Sequence, residues 1–183
     1  MTRRVAVPGV VGVLALLAAG YFGYLTLRGG AAAPQARADV TQTHRVTSRQ
    51  GGFSIGVPAG MHVTERRGTL TLADRKHDLV VTVGRAGPGA LRRAAARFVR
   101  MLGRAYSHVR VLGHQPQRIA GRNALATYGR AVNTHRARLR FVTVTVRARP
   151  RDFAITAFTA FGSDPARVLP RVDAIASTFR VRR

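Results

Sequence analysis

Ser54 stands in Gly52-Phe53-Ser54-Ile55-Gly56, the G-x-S-x-G spacing of a hydrolase nucleophile elbow. That device needs a strand, a sharp turn at the serine, and a helix starting directly behind it. Here Val57-Pro58-Ala59-Gly60 follows, which cannot continue a helix, so Ser54 is expected to be a strand residue pointing outward. Asp78 and His108 come in the chain order a triad would need, but nothing in their spacing brings them to Ser54. The six histidines (His44, His62, His77, His108, His114, His135) form no H-x-x-x-H or H-E-x-x-H pair, and the carboxylates are too few to complete a metal shell. No cysteine is present, which excludes a thiol nucleophile, a disulfide framework and a Cys-containing zinc site. No phosphate loop ending in Lys-Ser or Lys-Thr occurs either. The expectation is a non-enzymatic protein without catalytic, metal or cofactor-binding residues.

Arginine carries the patterned chemistry. The 183 residues hold 31 Lys+Arg against 7 Asp+Glu, a formal net charge of +24, and Lys76 is the single lysine. A hydrophobic content of 46% removes the disordered polyelectrolyte as an explanation. Arg93, Arg97, Arg100 and Arg104 fall at i, i+4, i+7 and i+11, one face of a helix. Arg136, Arg138 and Arg140 share one side of a strand, and Arg147, Arg149 and Arg151 alternate around the following turn. Guanidinium forks pair bidentately with phosphate and carboxylate, so such rows could grip a polyanion. Ordinary surfaces mix both signs of charge; this one is too short of acids to do so, and a positive field follows.

These residues need elements to hold them. Alternation marks strands at Phe53–Val57, Thr69–Ala73 and Leu79–Val83, with turn signals at Pro58-Ala59-Gly60 and around Asp74–Asp78. Leu91, Ala95, Phe98 and Leu102 give an apolar face to a helix over about 90–106, opposite the arginines. Strand-like runs follow at Val109–Leu112, Gln117–Ile119 and Ala124–Val132. An antiparallel hairpin is then expected from Arg140–Arg147 and Phe153–Phe161. Asp164 can cap a helix with Pro165 at its first position, Val168, Leu169, Val172, Ile175 and Phe179 being its apolar face. Strands, helix, strands, helix reads as α+β: an antiparallel β-sheet flanked by helices.

Val5–Leu27 contains no charge, and as a helix this run is about 34 Å long, enough to cross a bilayer. Residues 1–28 therefore read as one transmembrane helix, 29–50 as a flexible tether and 51–183 as the α+β domain. Ala15, Ala19 and Gly23 space small residues at i, i+4 and i+8, a face through which two such helices could form a homodimer. The basic head Arg3-Arg4 before a long apolar run favours a single-pass anchor with the domain on the extracytoplasmic side, or a secreted domain if the segment is cleaved. In that compartment the partners expected are anionic lipid headgroups, wall polymers or an acidic envelope protein. A domain facing the cytoplasm would instead meet nucleic acid.

The opening Gly51–Met61, GGFSIGVPAGM, resembles the first strand and turn of PsbP-like domains. The closing part resembles them too: a hydrophobic hairpin, a proline-containing helix, then Ile175–Val181, IASTFRV. The resemblance covers about 51–183. It departs from the family pattern at Met61, where tryptophan is usual, and has an apolar segment where LpqN-like envelope lipoproteins carry a lipidated cysteine. It implies an α/β/α sandwich and a binding or accessory role in the cell envelope, with no catalytic residues to carry over.

Overall fold

Period-two alternation dominates the chain after Gly51, and strands dominate the fold. The computed structural model describes residues 43–75, 78–148 and 151–182. Among them are β1 (Thr43–Ser48), β2 (Phe53–Pro58), β3 (Met61–Arg66), β4 (Thr69–Asp74), β5 (Leu79–Ala86), α1 (Leu91–Ala105), β6 (Ser107–Ile119), β7 (Arg122–Val132), β8 (Arg138–Val146), β9 (Asp152–Ala160), α2 (Pro165–Ser177) and β10 (Arg180–Val181). One antiparallel sheet has seven strands in the order β3-β4-β5-β9-β8-β7-β6; a second has three, β1-β2-β10. The hairpins β3–β4 and β6–β7 close through Arg67-Gly68 and Ala120-Gly121, all four residues at positive φ (51, 74, 48 and 74°). Two successive positive-φ residues match the right-handed twist of the strands they join.

In-register pairing places directly opposite residues on one face of the large sheet. Its first face carries Phe158, Phe141 and Gly129 in one row. Helix α1 lies on this face, with Leu102 packed against Ala131, Phe141 and Phe158, and with Phe98, Tyr106, Val109 and Val111 around them. The Tyr106 ring stacks on Phe158 at 5.0 Å, and burial pushes its hydroxyl pKa up. At its start, α1 is fixed by Arg147, whose Nη2 donates to the Gly89 carbonyl at 2.7 Å.

The second face carries Leu79, Val81, Val83, Ile155 and Phe153, all buried. Against it stands β2, buried along its whole length. Phe53 of β2 meets Phe153 of β9 at 5.7 Å and Phe179, just past α2, at 5.9 Å; Phe153 and Phe179 are 5.4 Å apart. Helix α2 lies beside β2, where the Gly56 amide donates to Thr178 Oγ1 at 2.7 Å, and β10 then pairs with β2. Arg171 of α2 reaches Asp74 of β4 at 2.9 Å, an ion pair between the helix and the large sheet.

One expectation is corrected. The large sheet is not a clear α/β/α sandwich, because one face takes a helix whereas the other is covered by strands β1, β2 and β10 with α2 alongside. The described residues are mostly strand, and β1 and β3, THRVTS and MHVTER, have too few apolar residues to announce themselves. Among the described residues no helix is long and apolar enough to cross a membrane. The segment read as that helix and its dimer face, Ala15, Ala19 and Gly23, lie outside the described residues. Sheet structure starts at Thr43, inside the span read as tether. The hairpin β8–β9 and the start of α2 at Pro165 stand as expected, and Pro170 is accommodated inside α2.

Candidate functional site

The arginines of α1 behave as their spacing requires, with one exception. Arg93, Arg100 and Arg104 are exposed, and so is Arg92. Arg97 is half-buried, and its Nη2 donates to the Pro88 carbonyl, so it serves the loop before the helix. No acidic residue occurs in α1, whose sequence is LRRAAARFVRMLGRA. The helix therefore turns an all-cationic face to solvent while its other side packs on the sheet.

The strand arginines divide differently from the expectation. Arg138 and Arg140 do share one side of β8. Arg136 is not on that strand: it occupies the preceding turn at φ 60°. That turn is built by Asn133, whose Oδ1 accepts from the His135 amide at 3.0 Å and the Ala137 amide at 2.8 Å.

What the strand arginines meet was not visible in the sequence. Arg140 of β8 stands opposite Arg130 of β7, and Arg130 stands opposite Arg110 of β6. On its other side Arg140 faces Thr159 of β9. Three guanidiniums thus rise from adjacent strands in one row, with neighbouring Cβ atoms about 5 Å apart. The row lies on the second face, since the adjoining residues Val111, Gly129 and Phe141 point the other way, toward α1. Phe161, immediately after β9, lies under two of the three, its ring centroid 4.5 Å from the Arg140 guanidinium carbon and 5.2 Å from that of Arg130. Its amide donates to the Arg138 carbonyl at 2.9 Å, which fixes the ring beside β8. The helical and strand arginines are consequently two separate groups on opposite faces of the large sheet.

A second row crosses the first face. Thr64, Thr71, Thr82, Thr156, Thr143, Thr127 and His114 are paired in succession through all seven strands. Thr127, Thr143 and Thr156 are buried; Thr143 and Thr156 share a hydrogen bond at 3.2 Å, and His114 Nδ1 lies 2.9 Å from Thr127 Oγ1. Threonine rows suit a pleated surface and satisfy one another's hydroxyls, which accounts for them structurally.

The nucleophile elbow is absent. Ser54 lies mid-strand in β2, buried rather than outward, and accepts a hydrogen bond from Arg45 Nη1 at 3.1 Å. Asp78 stands at the start of β5 and His108 on β6, four strand positions apart in the sheet. Among the described residues no three His, Asp or Glu side chains gather as a metal-holding group.

Among the described residues, Asp173 of α2 is the one carboxyl whose pKa burial pushes up, and its Oδ1 is buried there with no hydrogen-bond partner. The native state therefore holds this proton more tightly than the unfolded chain. The stability it contributes is full below the unfolded pKa, near 4, and falls as pH rises through the raised native value. Asp173→Asn is expected to raise the melting temperature at pH 7 and to leave it little changed near pH 3.5. Thermal melts across that range check the sign, and an Asn variant no more stable than the parent at pH 7 contradicts it.

Comparison with solved structures agrees on the architecture. The solution structure of a cyanobacterial PsbP from Synechocystis superposes with a TM-score of 0.57 at 15% identity, over 83% of this chain and 98% of that one. The fold is PsbP-like. LpqN of Mycobacterium tuberculosis, described as involved in cell envelope biogenesis, shares it at a TM-score of 0.51 and 11% identity, over 78% of this chain and 91% of that one. A Bacteroides thetaiotaomicron structure matches at 0.53 and 10% identity, over 76% of this chain and 48% of its own. No family model matches the chain, and no curated protein matches it by sequence. At these identities the PsbP-like neighbours share the fold, and the chemistry has to come from this chain's own residues.

Proposed function

We propose that this protein is a non-enzymatic binding or accessory module on the extracytoplasmic side of the cell envelope, which contacts an anionic surface through the outward face of α1. The observation that carries the reading is that face: Arg92, Arg93, Arg100 and Arg104 exposed on one helix with no acidic residue between them. The PsbP-like fold supports it by analogy, since LpqN, which shares the fold, is described as involved in cell envelope biogenesis. The uncharged run Val5–Leu27 is the segment that would hold the module at a bilayer. Near such a surface each arginine contributes about 1 kcal/mol, within a Debye length and with strong salt dependence.

Co-sedimentation of residues 43–183 with vesicles tests this, circular dichroism confirming that the fragment folds. Binding to phosphatidylglycerol vesicles at low salt and none to phosphatidylcholine is the expected pattern. Arg93→Glu with Arg100→Glu should weaken it by about tenfold or more, because each reversal removes an attraction and adds a repulsion. Unchanged retention of that double variant refutes the proposal.

A further inference from the structure

We propose that the cross-strand row Arg110–Arg130–Arg140, seated beside Phe161, is a discrete binding site for a phosphate group, separate from the cationic face of α1. Like charges directly opposite one another on neighbouring strands destabilise a sheet. This sheet carries two such oppositions in succession, Arg110 with Arg130 and Arg130 with Arg140. Neither Arg110 nor Arg130 has a carboxylate partner among the described residues. Propensity does not account for the row, because Tyr128 and Val132 on β7 and Val142, Val144 and Val146 on β8 fill the other positions of that side without that cost.

Three features make the row a receptor. Phe161 stacks against the Arg130 and Arg140 guanidiniums and limits their rotamers, which lowers the entropy lost when they bind. Arg130 and Arg140 are half-buried and Arg110 is exposed, so an anion enters from the β6 side and loses part of its water against the other two. The Arg110 and Arg130 forks on adjacent strands, with the Arg140 charge beside them, match a tetrahedral dianion better than a carboxylate, whose two oxygens one fork already saturates. Arg138, on the same side of β8, adds positive charge beside the row without belonging to it.

The full-length chain in neutral detergent is melted, by circular dichroism, in inorganic phosphate and in chloride of equal ionic strength. Phosphate in tenfold excess over its dissociation constant should raise the melting temperature by about 3 °C above the chloride value. Arg110→Gln and Arg130→Gln should each melt higher than the parent in chloride, because a repulsion is removed, and should lose the phosphate-specific shift. Arg100→Glu on α1 should keep that shift, which separates this site from the α1 face. Glycerol 3-phosphate and phosphatidic-acid micelles then distinguish the source: a response to the first identifies a soluble phosphomonoester, and a response to the second alone identifies a lipid headgroup. The proposal is overturned if phosphate does no more than chloride, if the shift survives in both strand variants, or if Arg100→Glu abolishes it equally.

Discussion

Phe53→Ala is expected to lower stability by about 3–5 kcal/mol, with a fall of roughly 10 °C in melting temperature. The Phe53 ring is fully buried and meets Phe153 and Phe179 at 5.7 and 5.9 Å, so truncation removes one corner of a three-ring cluster. Each ring comes from a different part of the fold: the small sheet, the large sheet, and the segment between α2 and β10. The cavity cannot close by a local shift, because β2 is held by pairing on both sides, to β1 and to β10. Two further tethers cross the same joint without replacing the ring. Arg85 of β5 donates to the Gln50 and Gly51 carbonyls, and Ser48 Oγ donates to Glu65 of β3 at 2.6 Å. Urea titration should show a lower midpoint with an unchanged m-value, since the small sheet and the large one unfold together. A loss below about 1 kcal/mol would mean that the aromatic cluster does not hold the two layers.

The parts of this fold that the sequence revealed are those where a single segment carries its own pattern. β8 and β9 are nine-residue runs rich in β-branched and aromatic residues, and the turn between them is polar, so their pairing followed directly. In α1 the apolar and cationic faces are both written within fifteen residues. β1 was hidden because Val46 is its one apolar residue; the strand exists because β2 offers it hydrogen bonds, not because it buries a face of its own. β6 reads in pieces because Gly113, Gln115 and Gln117 occupy its half-buried positions, where apolar residues would have continued the pattern of Val109 and Val111.

The site divides along the same line. Arg93, Arg100 and Arg104 belong together by helical spacing alone. Arg110, Arg130 and Arg140 are far apart in sequence and share a row only through two strand registers and a bulge. The threonine row is invisible for the same reason, since six strands contribute one hydroxyl each, β6 contributes His114, and the line appears only when the strands are aligned. Layer order is not legible in the sequence, because an apolar strand face does not record whether a helix or a second sheet will cover it.

Gly129 shows how closely that register depends on one side chain being absent. A Cβ at this position would lie 2.3 Å from the Arg110 carbonyl oxygen and 2.6 Å from the Phe141 ring. The oxygen belongs to the backbone of β6, so relief requires the strand itself to move, and Phe141 is buried under α1 with no free space to enter. Gly129→Ala is therefore expected to cost about 3 kcal/mol, at the upper end of overpacking effects. Gly103→Ala is the matching control. It lies in the same chain's α1 with nothing near the added methyl, and it should stabilise by about 0.5–1 kcal/mol through helix propensity. Opposite signs for one chemical change, measured by urea titration, would assign the cost at Gly129 to the approach of β6. The consequence reaches the arginines as well. Gly129 precedes Arg130 and is itself paired beside Val111, so a displaced β6 carries Arg110 away from its place opposite Arg130. A variant that still folds should then lose phosphate-dependent stabilisation even though all three arginines remain. Equal stability of Gly129→Ala and the parent would show that β6 tolerates the shift, and that the row of guanidiniums does not depend on this close approach.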